Sequence, residues 1–560
     1  MKVHRDERID QYEQAGVWGD TTLLDRFANT VEEAPDREAV VEPPNTDELV
    51  GREPERFSYA EFDDRIDGIA AGLRERGVEK DDIVVVQLPN TWELAAMYLA
   101  VARAGGVISP LPVQWRRREL EHVVELTDAE LFVTIDEFNG FDHVEMGENA
   151  TDDLDSLAEV VTLTEIREMS TGGSSPVDDV TIDANEVFNL EWTSGTTAAP
   201  KACPMTHNNW HGMPILPLLD FELGEPQTVL CLAPLVNMTA VGVTLVPWLL
   251  TGGTFVMHHP LDFDVLVDQL QTEGISFTIL VPTVMNRLLK HPNVDDFDLS
   301  GVDTIATGSA APAEWAMEEF RDRWGIEIVN IWGQNEGTAI ISGPKTTPMS
   351  RRATDFPQFG ANRDDIDWDI SAPRVDTIQT KVVDDNGNRV TETGDVGELA
   401  YKAPGVIAGY FRQPELTDDA FDDEGYFYTG DLFKMEDEGF VSFFDRQKDV
   451  IIRGGFTISA KDVENAVLEH PDVADAAVVA MPDPDLGERP CLYAVPAEGA
   501  TLTLEAITGH LEDDLAIYKH PEHLETVDEV PRNPVGKVVK TDLREDIEEK
   551  IDVAAGEGDA

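Results

Sequence analysis

Helical and strand-like patterns of hydrophobic residues alternate along the first 290 residues. Ser58 and Glu61 form a capping-box pattern that predicts a helix start. Four apolar residues then fall on one face of that helix, which ends near Gly77: Phe62, Ile66, Ile69 and Leu73. The apolar run 83–88 predicts a strand, and 93–104 predicts the next helix. This alternation favours parallel sheets covered by helices.

Two stretches of the N-terminal half look less regular. Residues 1–50 have the pattern of a polar lead-in with one helix near 21–34. Residues 137–185 are the most acidic part of this half, and we expect an irregular excursion on the surface.

The pattern changes after about residue 370, where shorter β-like runs and turns appear. A chain of 560 residues is too long for one core. We therefore expect an α/β fold: a large N-terminal domain of stacked α/β sheets with a β-rich subdomain over 1–446, and a small α+β domain over 447–545. The predicted elements of the small domain are a helix at 462–469, a strand at 474–481 and a helix at 504–515. The acidic, Gly/Ala-rich residues 546–560 predict a disordered tail.

Charge adds a constraint on the environment. The chain carries 110 acidic and 42 basic residues, a net charge of −68, while 42% hydrophobic residues indicate a globular protein. Asp and Glu are spread along the chain rather than concentrated in blocks, which favours a halophile, an archaeon in particular, over an acidic partner-binding protein. A basic stripe for nucleic acid is missing from the sequence, so we expect no nucleic-acid partner.

Cysteine usage and apolar runs indicate a cytoplasmic protein. Cys203, Cys231 and Cys491 lack metal-binding spacing and are odd in number, as expected for reduced thiols. The N-terminus has no apolar stretch of the kind that directs secretion. The longest apolar run, near 241–250, is too short to span a membrane.

The segment 192–201 contains the most informative motif. Hydroxyl residues surround Gly195, and a lysine follows: Thr193, Ser194, Thr196, Thr197 and Lys201. Backbone and hydroxyl groups of such a loop can surround phosphate oxygens, to which the lysine adds a charge. The preceding run 187–192 predicts a strand, so the loop leaves a sheet edge, where α/β sheets bind ligands. Taken alone, an ordinary Ser/Thr-rich turn stays open as the alternative.

This loop resembles the signature of the adenylate-forming superfamily, which includes acyl-CoA synthetases, adenylation domains and luciferases. Ala198 and Ala202 stand where the family usually has Gly. The resemblance implies a small C-terminal domain that acts as a mobile lid. It also implies a catalytic role for Thr193 and Lys201, and ATP binding by the loop as a whole.

Further motifs follow in the family's order. The resemblance implies that Glu336 is catalytic and binds magnesium, and that a wider set binds ATP: Gly308, Ser309, Ala310, Trp332, Gly333, Gln334 and Asn335. Asn335 replaces the usual Thr. Asp431 and Arg446 correspond to the ribose-binding residues, with Asp445 where the family has Gly.

The resemblance also assigns residues to the lid. Lys537 corresponds to the catalytic lysine of adenylation, which also contacts ATP. Lys448 corresponds to the hinge, and Gly454 and Gly455 to the face that meets coenzyme A. Asn237 stands where the family often has His, and the resemblance places it with Trp332 at the acyl pocket.

The resemblance therefore implies an AMP-forming acyl-CoA ligase that uses ATP, magnesium and coenzyme A. Asn237 and Trp332 at the implied acyl pocket favour a medium-chain, cyclic or aromatic acid as substrate. Two alternatives stay open: an adenylation enzyme that loads a carrier protein, and a non-catalytic acyl- or nucleotide-binding protein. A homodimer is the default expectation. We interpret His207 as a structural hydrogen-bonding residue.

Overall fold

A computed structural model describes residues 1–154, 156–172, 177, 179–193, 199–213, 223–308, 310–359, 373–454, 456–512, 515–533 and 537–558. In chain order its helices are Asp6–Gln14, Leu23–Glu33, Thr46–Val50, Tyr59–Glu75, Trp92–Ala104, Arg117–Thr127, His143–Asp153, Leu163–Thr171, His207–His211, Met238–Ala240, Val241–Leu245 (a π-helix), Val246–Thr251, Phe263–Thr272, Pro282–Leu289, Val294–Asp296 (3₁₀), Glu314–Trp324, Met349–Arg352, Pro373–Asp376, Pro414–Ala420, Asp437–Gly439 (3₁₀), Ala460–Leu468, Leu504–Leu511, Ile517–Lys519 (3₁₀) and Lys540–Gly558.

Two largely parallel sheets form most of the N-terminal part. The strands of the first sheet are, in spatial order, Gly337–Ser342, Glu327–Gln334, Thr304–Gly308, Phe277–Ile279, Thr228–Cys231, Thr254–Met257, Glu38–Val41 and Arg56–Ser58. Those of the second are Ala202–Thr206, Val187–Trp192, Val107–Pro110, Ile83–Gln87, Leu131–Thr134 and Glu159–Thr162. Antiparallel pairs occur at both edges of the first sheet and at the Ala202–Thr206 edge of the second.

The two sheets share one hydrophobic core. Val229 of the first sheet and Val84 of the second belong to the same buried cluster, which also contains Trp248. The helices Tyr59–Glu75 and Trp92–Ala104 contribute to this cluster, and the second of these is buried along nearly its whole length. Burial on all sides explains its apolar sequence.

Two smaller sheets follow along the chain. The antiparallel third sheet has the strands Asp355–Pro357, Phe440–Arg446, Phe427–Met435, Val396–Lys402 and Gln379–Val383. The C-terminal sheet has the strands Phe456–Ile458, Ile451–Arg453, Gly487–Pro496 and Val473–Asp483, and His523–Thr526 pairs with Gly487–Pro496. A separate hairpin joins Glu137–Phe138 to Phe141–Asp142. The predicted α/β class, with a large N-terminal domain and a smaller C-terminal domain, is confirmed.

Local signals located several elements well. Ser58 and Glu61 form the predicted capping box, since the Ser58 hydroxyl accepts from the Glu61 N–H and the Glu61 carboxylate accepts from the Ser58 N–H. The predicted helix near 21–34 is present as Leu23–Glu33. The run 83–88 is the strand Ile83–Gln87.

Three expectations from the sequence differ from the structure. The lead-in contains a helix, Asp6–Gln14, held by buried Tyr12. The stretch 137–185 is more regular than expected, because buried Val161 places Glu159–Thr162 in the second sheet. The expected tail from residue 546 is instead part of the helix Lys540–Gly558, since Ile547 is buried against the C-terminal sheet.

Candidate active site

The antiparallel strands Val187–Trp192 and Ala202–Thr206 bring the two ends of the hydroxyl-rich loop together. The Thr193 N–H donates to the Lys201 carbonyl over 3.0 Å, and the Lys201 N–H donates to Thr193 Oγ1 over 3.2 Å. The loop is thereby closed at its base. Four of its predicted ATP-binding residues lie outside the described residues: Ser194, Gly195, Thr196 and Thr197.

Lys201 and Glu336 meet through a tyrosine. Lys201 Nζ donates to the Tyr410 hydroxyl over 2.7 Å, and that hydroxyl donates to Glu336 Oε1 over 2.7 Å. Lys201 Nζ lies 3.7 Å from the same carboxylate oxygen. Burial, followed by the negative charge of Glu336, raises the pKa of Tyr410, so Tyr410 remains a neutral donor. The structure therefore brings the predicted loop lysine and the predicted magnesium ligand to one place.

Asp431 forms a second carboxylate centre. Its Oδ2 accepts from Trp332 Nε1 over 3.1 Å and from Gln334 Nε2 over 3.3 Å, while Arg446 Nε lies 3.7 Å from Oδ1. Burial raises the pKa of Asp431, and Arg446 and Trp332 act in the opposite direction. Gln334 also donates to the Thr429 carbonyl over 2.9 Å. Four predicted site residues thus share one cluster.

Lys537 belongs to the C-terminal part of the chain, and the charges of both centres act on it. Loss of water around its ammonium, followed by repulsion from Arg446, lowers the pKa of Lys537, while Asp431 and Glu336 raise it. Its backbone N–H donates to Asn533 Oδ1 over 2.9 Å. Neighbouring protein atoms thus displace part of the water around the ammonium, while the residue as a whole keeps contact with solvent. The charges of Asp431 and Glu336 therefore act on a cation from the C-terminal part of the chain.

Family models and known proteins match nearly the whole chain. The family model for the AMP-binding enzyme matches residues 27–411, and that for the AMP-binding enzyme C-terminal domain matches 462–537. The chain belongs to the AMP-binding enzyme family. It is a member of the adenylate-forming superfamily and an AMP-forming ligase.

Two curated relatives illustrate the range within this family. The medium-chain fatty-acid–CoA ligase of Escherichia coli is 30% identical, covering 98% of this chain and 95% of that protein. The 2,3-dihydroxybenzoate-AMP ligase of Bacillus subtilis is 28% identical, covering 98% and 97%. Among solved structures, ATP-bound MatB from Rhodopseudomonas palustris superposes with a TM-score of 0.78 at 25% identity, covering 94% of this chain and 99% of that one.

The remaining predicted nucleotide residues of this AMP-binding enzyme occupy two neighbouring strands. Gly308 ends Thr304–Gly308 beside Glu327–Gln334, where a Cβ atom would lie 2.8 Å from the Ile331 carbonyl oxygen, so a side chain would not fit. Ala310 follows at an exposed position, and Gly333 is exposed on its strand. Ser309 lies outside the described residues. Adenine binding by this group stays a prediction.

Asn335 has partners that the sequence did not reveal. Its Nδ2 donates to the Trp192 carbonyl over 2.6 Å, and its Oδ1 accepts from the Met238 N–H over 3.1 Å. Asn335 therefore connects the strand before the hydroxyl-rich loop to the segment that follows Asn237. Its place among the ATP-binding residues stays a prediction.

The two predicted acyl-pocket residues have different surroundings. The Asn237 side chain accepts from the Ala240 N–H over 3.2 Å and caps the helix Met238–Ala240. Trp332 packs edge-on against Tyr401 and Phe433 and donates to Asp431. These contacts group Trp332 with the Asp431 cluster, so its contribution to an acyl pocket stays a prediction.

The predicted hinge segment is held by contacts from both sides. Asp445 Oδ2 accepts from Ser459 Oγ and from the Lys461 N–H, each over 3.0 Å. Arg544 donates to the Lys448 carbonyl over 2.9 Å and pairs with Asp449. Asp445, which replaces the family's Gly, thus caps the helix Ala460–Leu468 beyond the hinge.

The predicted coenzyme A face begins at Gly454. This residue has a φ of +57°, a conformation that favours glycine. Its N–H donates to the Leu486 carbonyl over 2.7 Å. Gly455 lies outside the described residues.

His207 has the structural role that we interpreted from the sequence. Its Nδ1 accepts from the Leu23 N–H over 3.2 Å, and burial lowers the pKa of His207 to about 4. A neutral imidazole at this position supports the start of the helix Leu23–Glu33. Cys203, Cys231 and Cys491 are buried free thiols.

Glu191 is a buried carboxyl group that the sequence analysis missed. It is fully buried in Val187–Trp192, two residues before Thr193, and its Oε1 accepts from Asn189 Nδ2 over 2.6 Å. Burial raises the pKa of Glu191 to about 8. A lone Glu within the apolar run 187–192 was the signal available in the sequence.

We expect Glu191→Gln to remove a pH dependence of stability. Because the folded state keeps the Glu191 proton up to about pH 8 while the unfolded chain loses it near an ordinary glutamate pKa, wild-type stability falls as pH rises through this window. The variant should gain stability over wild type by about 5 kcal/mol between pH 4 and pH 9, at about 1.4 kcal/mol per pKa unit. Urea unfolding at fixed salt, with exposed Glu318→Gln as control, measures the difference. A gain that is the same at both pH values would contradict this assignment.

Proposed function

We propose that this enzyme activates a carboxylic acid with ATP and transfers the acyl group to coenzyme A. The supporting observation is that Lys201 lies beside Glu336 and that the charges of Glu336 and Asp431 both act on Lys537, although these residues come from distant parts of the chain. Each corresponds to a residue with a role in ATP binding or adenylation in the family. The proposal assigns residues 1–446 to the ATP- and acyl-binding domain and 447–545 to the lid.

In the first step, a carboxylate oxygen of the acid attacks the α-phosphorus of ATP, and the bond to the pyrophosphate oxygen breaks. Asp431 accepts from the ribose hydroxyls, and Arg446 lies beside it. The Lys537 ammonium stabilises the negative charge that develops between carboxylate and phosphate. The products are an acyl-adenylate and pyrophosphate.

In the second step, the thiol of coenzyme A attacks the acyl carbon, loses its proton and displaces AMP. The second step does not use Lys537 but needs the segment at Gly454 and Gly455. The lid therefore rotates about Lys448 and brings this segment to the acyl-adenylate. Rotation of the lid would require the Asp445 contacts with Ser459 and Lys461 to break or to move with it.

The residues at Glu336 fit magnesium. The described part of the chain contains no group of three or more His, Cys, Asp or Glu side chains that could hold a metal ion by itself. Magnesium is commonly held by one or two carboxylates together with substrate phosphates and water, so the single Glu336 carboxylate beside the loop suits it. When bound, magnesium would neutralise phosphate charge; Lys201 and Tyr410 hold the carboxylate in place.

For the acid, we propose a medium-chain, cyclic or aromatic compound. The named substrates of the two curated relatives are a medium-chain fatty acid and a dihydroxybenzoate. We assign the acyl pocket to the region of Asn237 and Trp332. No helix among the described residues has the length and apolar character to cross a membrane.

Pyrophosphate release with a panel of carboxylic acids tests this proposal. We expect release with ATP and at least one medium-chain or aromatic acid, followed by thioester formation when coenzyme A is added. The Asp431→Asn variant should raise the KM for ATP, because Asp431 is the proposed acceptor for the ribose hydroxyls. Absence of pyrophosphate release with every acid, for a protein shown to be folded, would favour the non-catalytic alternative.

A carrier protein is the second candidate acceptor, because one relative is named as an AMP ligase rather than a CoA ligase. The same panel separates the two. An enzyme that forms the acyl-adenylate but leaves coenzyme A unacylated, and acylates a phosphopantetheinylated carrier protein instead, would establish the second function.

A further inference from the structure

The first 26 residues lie before the segment matched by the AMP-binding family model, yet they pack against the catalytic domain. The helix Asp6–Gln14 carries Tyr12, which forms a small buried cluster with Val17 and Trp18. This segment therefore has a fixed position, and its contacts can act on other parts of the enzyme.

Arg8 of this helix donates to three carbonyl groups of one loop. Its guanidinium donates to Ala403 O over 3.1 Å, to Val406 O over 2.7 Å and to Ile407 O over 3.1 Å. It also lies over the rings of Tyr12 and Trp18, 5.7 and 5.9 Å from their centroids. A planar guanidinium with five donors suits several acceptors at once.

Among the described residues, the Arg8 guanidinium has carbonyl acceptors but no carboxylate partner. Loss of water lowers the pKa of Arg8. A cation in such surroundings is unfavourable unless fixed dipoles replace its hydration. The three carbonyl groups supply those dipoles, so Arg8 and the loop stabilise each other.

The loop that Arg8 holds, residues 403–411, also supports Glu336. The Ile407 N–H donates to the Glu336 carbonyl over 3.0 Å, and the Tyr410 hydroxyl donates to the Glu336 carboxylate. Gly337 has a φ of +146°, and a Cβ atom there would lie 3.0 Å from the Gly405 carbonyl oxygen. The 403–411 loop thus packs directly on the backbone that carries the carboxylate.

The same loop reaches the hydroxyl-rich hairpin. The Phe411 N–H donates to the Ala202 carbonyl over 2.9 Å, next to Lys201. Asn209 reinforces the loop by donating to Pro404 O and Val406 O, each over 2.9 Å. A shift of the 403–411 loop would therefore move both Glu336 and the base of the hydroxyl-rich hairpin.

We propose that Arg8 is a positioning residue for Glu336, acting through the 403–411 loop. This inference rests on the proposed function, since it assumes that Glu336 works with magnesium and ATP. Arg8 itself touches neither substrate nor metal. It fixes the loop carbonyls, and the loop in turn fixes the orientation of the Glu336 carboxylate.

Two measurements on the full-length Arg8→Met variant test the proposal. Hydrogen exchange without ligands should become faster in peptides covering 403–411. The magnesium concentration that gives half-maximal pyrophosphate release should rise about tenfold, as is typical when a partner of a metal ligand is lost. Arg8→Lys, which keeps the charge but has fewer directed donors, should give an intermediate value.

Exposed Arg5 on the same segment provides the matched control, and Arg5→Met should behave as wild type. Faster exchange confined to residues 6–14, or an unchanged magnesium requirement, would overturn the proposal, since Arg8 would then only anchor its own helix. If Arg8→Met does not fold, Arg8→Lys decides by the same two criteria. A wild-type enzyme that releases no pyrophosphate would refute the proposed function instead, and the exchange data would still show whether Arg8 orders the loop.

Discussion

Replacement of Lys537 by alanine is expected to slow acyl-adenylate formation by about 100- to 1000-fold, the usual effect of removing one group that stabilises transition-state charge. Lys537 is a cation of the proposed lid, and the charges of both Asp431 and Glu336 act on it. Thioester formation from supplied acyl-adenylate should continue at close to the wild-type rate, because the proposed second step uses Gly454 and Gly455 instead. Separate assays of the two half-reactions measure this difference.

Lys550→Ala is the matched control for Lys537. Lys550 is a lysine of the same domain that pairs with Glu525 and Asp546, away from the nucleotide residues. Its replacement should leave both half-reactions unchanged. Equal losses in both half-reactions for Lys537→Ala would refute the assigned role and indicate damage to the lid as a whole.

Removal of salt is expected to unfold the protein. With 110 acidic and 42 basic residues, acidic side chains outnumber basic ones by 68. Basic residues already serve several carboxylates, as Arg351 does with Asp355, Asp437 and Glu438. Salt near 1 M confines repulsion to about 3 Å, whereas at 0.01 M repulsion extends to about 30 Å. Circular dichroism during dilution from molar KCl should show loss of structure below about 0.1 M, where the screening length exceeds about 10 Å.

Sucrose distinguishes screening from general stabilisation. If charge repulsion causes the unfolding, KCl should restore the fold, and sucrose at the same osmotic strength should restore much less of it. Full activity and an unchanged melting temperature in millimolar buffer would reject the halophile prediction.

Local sequence signals were sufficient for much of the fold. The capping box at Ser58 and the run 83–88 depend on neighbours within a few residues, and both lie where the pattern predicted. Boundaries set by distant contacts were harder to predict. The helix Lys540–Gly558 extends through the expected tail because Ile547 packs on the C-terminal sheet.

Residue types and spacing also indicated much of the candidate site. The structure brings together Lys201 with Glu336, and Asp431 with Trp332, Gln334 and Arg446, as motif resemblance implied for a nucleotide site. Tyr410 was missed as the link between Lys201 and Glu336, although it directly follows Gly409 in the sequence. A tyrosine after a glycine has many ordinary roles, and only its two partners identify this one.

The sequence by itself determined the α/β class, the order of the nucleotide-binding motifs and the strongly acidic character, because these depend on periodicity, spacing and composition. The tertiary structure alone decided that Arg8 contacts the 403–411 loop, that Asp445 caps a helix beyond the hinge, and that Asn335 bridges Trp192 and Met238. Arg8 and Val406 are separated by 398 positions along the chain. Hydrogen bonds over such separations depend on how whole sheets and domains pack, and no local pattern records that packing.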